Sequence, residues 1–155
     1  METMTEKTES QQVPITMLKF KKLIDTATAP KKGSPDAAGF DLVAVSKTID
    51  PSTNCTIYGT GLAFEIPKGY VGLLFPRSSV YKKCHQLANS IGVIDSDYRG
   101  EVIAIFRNTK FGGSYQIGER VCQLVILPAP NFELEEVQKL SGTERGSGGF
   151  GSTGA

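Results

Sequence analysis

Three stretches of the chain concentrate residue types that handle phosphate and water. In Phe75-Pro-Arg-Ser-Ser79 an arginine and two hydroxyls close an apolar run. A guanidinium is a fork of donors matched to phosphate oxygens. A helical turn opening at Ser78 or Ser79 adds free N–H groups that favour an anion; the plainer reading is an ordinary helix cap. The second stretch, Gly92-Val-Ile-Asp-Ser-Asp-Tyr-Arg-Gly100, reads as a tight hairpin with glycine at each end. Aspartate is ionised at neutral pH, so Asp95 can take a proton from water without a histidine. The alternative is an Asx-type turn in which Asp95 and Asp97 bond their own backbone. The third stretch is Arg145–Ala155, R-G-S-G-G-F-G-S-T-G-A. Its composition is that of a Gly/Ser tail. Yet bare N–H groups, hydroxyls, a guanidinium and one flat ring suit a polyphosphate with a base attached. Gly149, Gly151 and Gly154 spell G-x-G-x-x-G, but no helical sequence follows them, which argues against a Rossmann or kinase loop. The expectation is an arm that folds over a ligand held elsewhere.

Two further polar residues sit in strand-like runs. Asp41 in Ala38-Gly-Phe-Asp-Leu42 needs a reason, because aspartate is disfavoured in strands. A bulge, a turn, or an anchor for arginine or hydrated metal would each supply one. Gln123 interrupts an apolar strand, either as an outward-facing position or as a functional group.

The elements that must hold these groups are strands. Apolar stretches recur at Met17–Ile24, Gly39–Val45, Thr56–Tyr58, Gly61–Ile66, Tyr70–Phe75, Glu101–Arg107, Arg120–Leu127 and Phe132–Val137, with turn residues between them. That spacing predicts an all-β sandwich or barrel. The only short helical candidate follows Ser78. Leu127-Pro-Ala-Pro130 is a stiff bend before the last expected strand, and a strand and arm thrown outward there suggest exchange between subunits. Residues 1–16 are polar and read as a disordered leader, 17–137 as the β domain, and 138–155 as the glycine-rich arm.

Composition excludes other classes. The chain has 155 residues and a net charge of +1, so no nucleic-acid or membrane partner is expected. It contains no bilayer-length apolar run and no signal-peptide core. Cys55, Cys84 and Cys122 are expected to be reduced and buried, which points to an intracellular protein, cytoplasmic or nuclear. Lys21-Lys22 and Lys31-Lys32 are too short for a nuclear address. A single histidine, His85, rules against a zinc site or a Ser-His-Asp triad and reads as packing or surface.

The segments A-G-F-D-L, P-R-S-S, N-S-I-G-V-I-D-S-D-Y-R-G, G-E-R-V-C-Q-L and R-G-S-G-G-F-G-S-T-G occur in that order. They resemble the five motifs of the trimeric dUTP pyrophosphatase (dUTPase) family, from about Met17 to Gly154. Ser79, where many relatives carry glycine, is the one departure. The resemblance implies a distorted jelly-roll or β-barrel with its C-terminal strand and arm exchanged in a homotrimer. It also implies hydrolysis of dUTP to dUMP and pyrophosphate, which limits uracil incorporation into DNA and supplies dUMP for thymidylate synthesis.

By the same resemblance, Asp95 is the base for the water that attacks the α-phosphorus. Arg77, Ser78, Ser79 and Gln123 hold the phosphates. Mg²⁺ is carried mainly by the substrate phosphates, with Asp41 touching it through water. Asn89 and the backbone of Gly92, Val93 and Ile94 meet the uracil edge, and Tyr98 lies under the deoxyribose. Arg145, Gly151, Ser152 and Thr153 close on the γ-phosphate end while Phe150 stacks on the base. A dCTP deaminase-like enzyme and a non-catalytic regulatory trimer are the competing readings. Asn89 and Asp95-Ser-Asp-Tyr98 favour dUTPase over the first; the presence of both Asp95 and the arm argues against the second.

Overall fold

A computed structural model of the chain describes residues 16–109 and 112–149. Among the described residues there are eleven strands: β1 (Lys19–Lys22), β2 (Lys31–Lys32), β3 (Gly39–Val43), β4 (Ser46–Asp50), β5 (Cys55–Gly59), β6 (Leu62–Glu65), β7 (Tyr70–Pro76), β8 (His85–Leu87), β9 (Gly92–Ile94), β10 (Ile103–Asn108) and β11 (Arg120–Pro128). They form a five-stranded sheet in the order β2-β3-β11-β7-β9, a four-stranded sheet β4-β5-β10-β8, and a β1-β6 ribbon. The fold is all-β, as expected, but the sheets do not close into a barrel.

Alternation explains the layering. On β10, Ala104 and Phe106 are buried while Ile103, Ile105 and Arg107 face outward. Across the five-stranded sheet, Leu42, Leu74, Cys122 and Leu124 fall on one face and join the same core as Tyr58, Phe106 and Leu87 of the four-stranded sheet. The opposite face carries Asp41, Gln123 and Phe75 in one cross-strand row. That row begins the candidate site.

The structure corrects several expectations. Gly92–Gly100 is not a hairpin: β9 pairs with β7, whereas β10 pairs with β5 and β8 in the other sheet. Phe132–Val137 forms no strand, and Phe132, Leu134 and Val137 are 82%, 99% and 49% exposed. Apolar alternation makes a strand only where the segment pairs with an edge, and among the described residues this segment pairs with none. The short β2, β4 and β8 were not expected because their sequences are largely polar, whereas β9 falls in the stretch read as one arm of a hairpin. Cys55 and Cys122 are buried as expected, but Cys84 is half-buried and donates its thiol to the Gly112 carbonyl at 2.7 Å.

His85 is a core residue. Its ring stacks on Phe106 with centroids 5.3 Å apart. Its Nε2 lies 2.7 Å from the Tyr58 hydroxyl and its Nδ1 2.9 Å from the Cys84 carbonyl. The two contacts fit a neutral ring that donates from Nδ1 and accepts at Nε2. Burial lowers the pKa of His85 from its ordinary 6.5. A lowered histidine means that the unfolded chain binds the proton first, so stability falls as pH drops below about 6.5 and stops falling below the folded-state pKa. Thermal melts from pH 8 to pH 5 should show a Tm that declines below pH 6.5, and His85→Gln should flatten that decline.

Candidate functional site

The phosphate-type residues gather at one end of the five-stranded sheet. Asp41 on β3 pairs with Gln123 on β11, which pairs with Phe75 on β7, so the three lie side by side. Gln123 donates from Nε2 to the Pro76 carbonyl at 3.1 Å. Its amide oxygen occupies the space above Gly39, where an added Cβ would come within 2.8 Å. The glycine of A-G-F-D-L therefore makes room for the glutamine two strand positions away.

Between Arg120 and Cys122 the β11–β3 register shifts at a bulge. Bulges re-aim side chains, and here Arg120 Nη1 reaches Asp41 Oδ2 at 3.0 Å. Arg77 Nε donates to Asp41 Oδ1 at 2.8 Å. Asp41 is thus the arginine anchor that its sequence position allowed, with both oxygens engaged and its side chain 13% exposed. Arg77 is the more buried of the two partners, at 24% exposed, and Arg120 at 54% is the more screened by solvent. Bonding through Nε leaves the terminal nitrogens of Arg77 for another anion. Arg120 is a site residue not expected from the sequence; its signal is a cation opening the strand that carries Gln123.

After Arg77 the chain enters a 3₁₀ helix, Ser78–Lys82, whose N-cap is Arg77 with no side-chain capping bond. The helix-cap reading of Ser78 and Ser79 is therefore corrected, since neither hydroxyl caps the turn. Ser78 is exposed, whereas Ser79 is half-buried.

The base-type residues form a second group. Asn89 and Ile91 close a three-residue turn, with Ile91 N–H on the Asn89 carbonyl at 2.6 Å and Ser90 at φ 62°. A non-glycine residue in that region is strained, and strain of this kind gathers at functional segments. The Asn89 amide lies beside Gly92, which has no room for a side chain because Leu74 Cβ would be 3.0 Å away. The turn after β9 is closed by Tyr98 N–H to the Asp95 carbonyl at 3.1 Å and braced by Arg99, which donates to the Ser96 and Tyr98 carbonyls. Among the described residues no hydrogen bond reaches the carboxylate of Asp95 or Asp97, so the Asx turn is absent. Asp95 is exposed and lines two clefts. One, of about 180 Å³, includes Val93, Ile94 and Tyr98. The other, of about 600 Å³, includes Lys68, Tyr70, Asp97 and Asn131, which sequence analysis did not single out. The Tyr98 ring lies on Gly100, where a Cβ would fall 2.5 Å from Cζ, and its hydroxyl donates to the Glu101 carbonyl at 3.0 Å.

The two groups do not meet within one chain. Ile94 pairs with Gly72, so Asp95 follows beside Val71 at the start of β7, whereas Arg77 follows its end. The span from Val71 to Arg77, at about 3.3 Å per residue, is on the order of 20 Å. Of the arm, Arg145 bonds the Gly148 carbonyl through Nε at 3.0 Å within an exposed turn. Phe150, Gly151, Ser152 and Thr153 lie outside the described residues, as does the leader up to residue 15.

The described residues contain no cluster of three or more His, Cys, Asp or Glu able to cage a metal. With Asp41 shared by two guanidiniums, the donor set suits a cation that arrives on a triphosphate, because Mg²⁺ keeps several waters and binds substrate phosphates. Burial pushes the Cys122 thiol up to about 12, which leaves it no nucleophile. Among the described residues no helix is long and apolar enough to cross a membrane.

An all-β scaffold bearing guanidiniums and hydroxyls at one sheet end and an exposed carboxylate at the other carries the groups needed to hydrolyse a phosphate anhydride. A family model described as dUTPase matches residues 25–154. The deoxyuridine 5'-triphosphate nucleotidohydrolase of Nautilia profundicola is 43% identical over 139 residues, covering 88% of this chain and 98% of its own length. That of Escherichia phage T5 is 44% identical over 153 residues, covering 90% and 99%. A solved dUTPase of Staphylococcus bacteriophage 80alpha with dUPNHPP superposes with a TM-score of 0.78 at 29% identity, covering 91% of this chain and 100% of that one. A dUTPase from phage phi11 of S. aureus, solved with a structural Mg(II) ion, gives a TM-score of 0.69 at 25% identity over 80% of this chain and 98% of its own. The chain belongs to the dUTPase family.

Proposed function

We propose that this dUTPase hydrolyses dUTP to dUMP and pyrophosphate at sites built from more than one copy of the chain. The observation that carries the reading is the separation, by the length of β7, of Asp95 from the Arg77, Ser78 and Gln123 group. One triphosphate nucleotide needs both, and a neighbouring copy in a homotrimer supplies the missing half. The arm of residues 138–155, leaving the domain of 17–137 after Pro128 and Pro130, closes the site from a further copy. Its Arg145, Gly151, Ser152 and Thr153 meet phosphate, and Phe150 covers the base.

In the assembled site Asp95 accepts a proton from water as the water oxygen bonds to the α-phosphorus. The bond from that phosphorus to the bridging oxygen breaks, and pyrophosphate leaves with the electron pair. General-base help of this kind is worth roughly 10²–10⁴-fold. Arg77, Ser78 and Gln123 hold the chain of phosphates in line, and Asp41 keeps the Arg77 fork aimed and touches the metal's water shell. Mg²⁺ borne by the triphosphate neutralises charge on the leaving group. Asn89 and the backbone from Gly92 to Ile94 read the uracil edge, so cytosine offers the wrong donors and thymine's methyl meets backbone. Tyr98 excludes a 2'-hydroxyl.

A pyrophosphate-release assay across dUTP, UTP, dTTP and dCTP tests this reading. Turnover is expected for dUTP alone, with most of it lost in EDTA. Gly100→Ala, which must displace the Tyr98 ring, should narrow the gap between dUTP and UTP. Release from dCTP or dTTP at a comparable rate, or deamination of dCTP, would overturn the assignment.

A further inference from the structure

Tyr115 is among the largest fully buried side chains, 2% exposed, and among the described residues its hydroxyl is the one buried side-chain polar atom with no hydrogen-bond partner. Such a group carries a desolvation cost that a phenylalanine would avoid. The ring explains the tyrosine only in part. It packs edge-on against Tyr58, with centroids 5.9 Å apart, and Lys83 Nζ sits 4.8 Å from its centroid. Phenylalanine would make both contacts.

The surroundings of the hydroxyl point to the 3₁₀ helix. Lys83, which follows that helix, lies over the Tyr115 ring and is held by Glu119 at 3.0 Å, so the end of the Ser78–Lys82 segment is tied to that ring. The side chain of Ser79 lies against the phenol without meeting hydrogen-bond geometry, and Arg77 is within electrostatic reach. Burial raises the phenol's pKa, which keeps it a donor across the working pH range. Ser78 faces solvent while Ser79 leans inward.

We propose that Tyr115 is a positioning residue for the phosphate grip: its hydroxyl donates to Ser79 Oγ and so turns the single Ser79 proton outward to a bound phosphate. A serine hydroxyl donates one hydrogen bond and accepts two. With Oγ already accepting from the phenol, its proton is free for a phosphate oxygen, and each bond polarises the other. The unpaired phenol is then a donor that finds its acceptor when the turn settles on the triphosphate. This rests on the assignment of the Arg77–Ser79 turn to phosphate binding.

The test is a double-mutant cycle of Tyr115→Phe and Ser79→Ala on the full-length chain, read as KM and kcat for dUTP alongside Tm. Tyr115→Phe should raise KM about five- to tenfold, the worth of one hydrogen bond, with kcat essentially unchanged and Tm held or raised, since the change removes an unsatisfied buried hydroxyl. Once Ser79→Ala is in place, adding Tyr115→Phe should raise KM no further. A lowered Tm with unchanged KM would make Tyr115 merely structural, and fully additive effects on KM would break the pairing; either overturns the proposal. Arg77→Ala separates this failure from that of the underlying assignment. If Arg77→Ala leaves KM unchanged, the turn is not the phosphate grip and both fall. If Arg77→Ala raises KM and Tyr115→Phe does not, only the role of Tyr115 is lost.

Discussion

Asp95→Asn is expected to lower kcat by at least about 10²–10⁴-fold while leaving Tm and the affinity for a non-hydrolysable dUTP analogue nearly unchanged. The expectation follows from what the carboxylate does not do in the fold. Asp95 is exposed, and among the described residues nothing hydrogen-bonds its oxygens. The turn around it is closed by backbone and by Arg99 instead. Asparagine keeps the shape and loses the basicity, so stability should move by less than about 0.5 kcal/mol, as for a surface change that touches nothing. Pyrophosphate release, a thermal melt and a titration with dUPNHPP measure the three quantities separately. Equal loss of binding and turnover would show that Asp95 shapes the site and is not its base.

Mixing two inactive variants is expected to restore activity. Asp95→Asn lacks the base and Arg77→Ala lacks the phosphate fork, and each should be nearly inactive alone. If one site takes Asp95 and Arg77 from different copies, a refolded 1:1 mixture contains sites in which both are intact. Random assembly gives about a quarter of all sites in that state. If one chain supplied both residues, no mixture could contain an intact site. Native mass spectrometry, which resolves trimers differing by one Arg77→Ala chain, must first show that mixed trimers form; with that established, inactivity at every mixing ratio would exclude the shared site.

The all-β fold was legible because its long strands alternate: β7, β10 and β11 fall within a residue or two of the apolar runs that announced them. Local placement was legible where neighbours in sequence stay neighbours in space, as with Arg77 entering the short helical turn at Ser78 or the turn that carries Asp95. Facts set by register were not legible. Nothing along the chain says that a bulge before Cys122 brings Arg120 to Asp41, or that Gly39 makes space for Gln123. The arms of Gly92–Gly100 resemble a hairpin because glycine bounds them, yet each side pairs with a different, distant strand. The strand expected over Phe132–Val137 failed for a related reason, since its pattern suits a strand but among the described residues it pairs with no edge.

The exposure of that segment sets a time limit on the young protein. Phe132, Leu134 and Leu140 stand 82%, 99% and 81% exposed on an extended segment, the kind of apolar surface that nascent chains and proteases find first. Any assembly that covers it is at least second order in protein, whereas cleavage and misassociation with other sticky chains begin at once. Yield in a cell should therefore depend on synthesis rate more steeply than linearly. Slow expression would leave trimmed chains that fold but have lost the glycine-rich terminus, an outcome that mass spectrometry of the purified product would reveal.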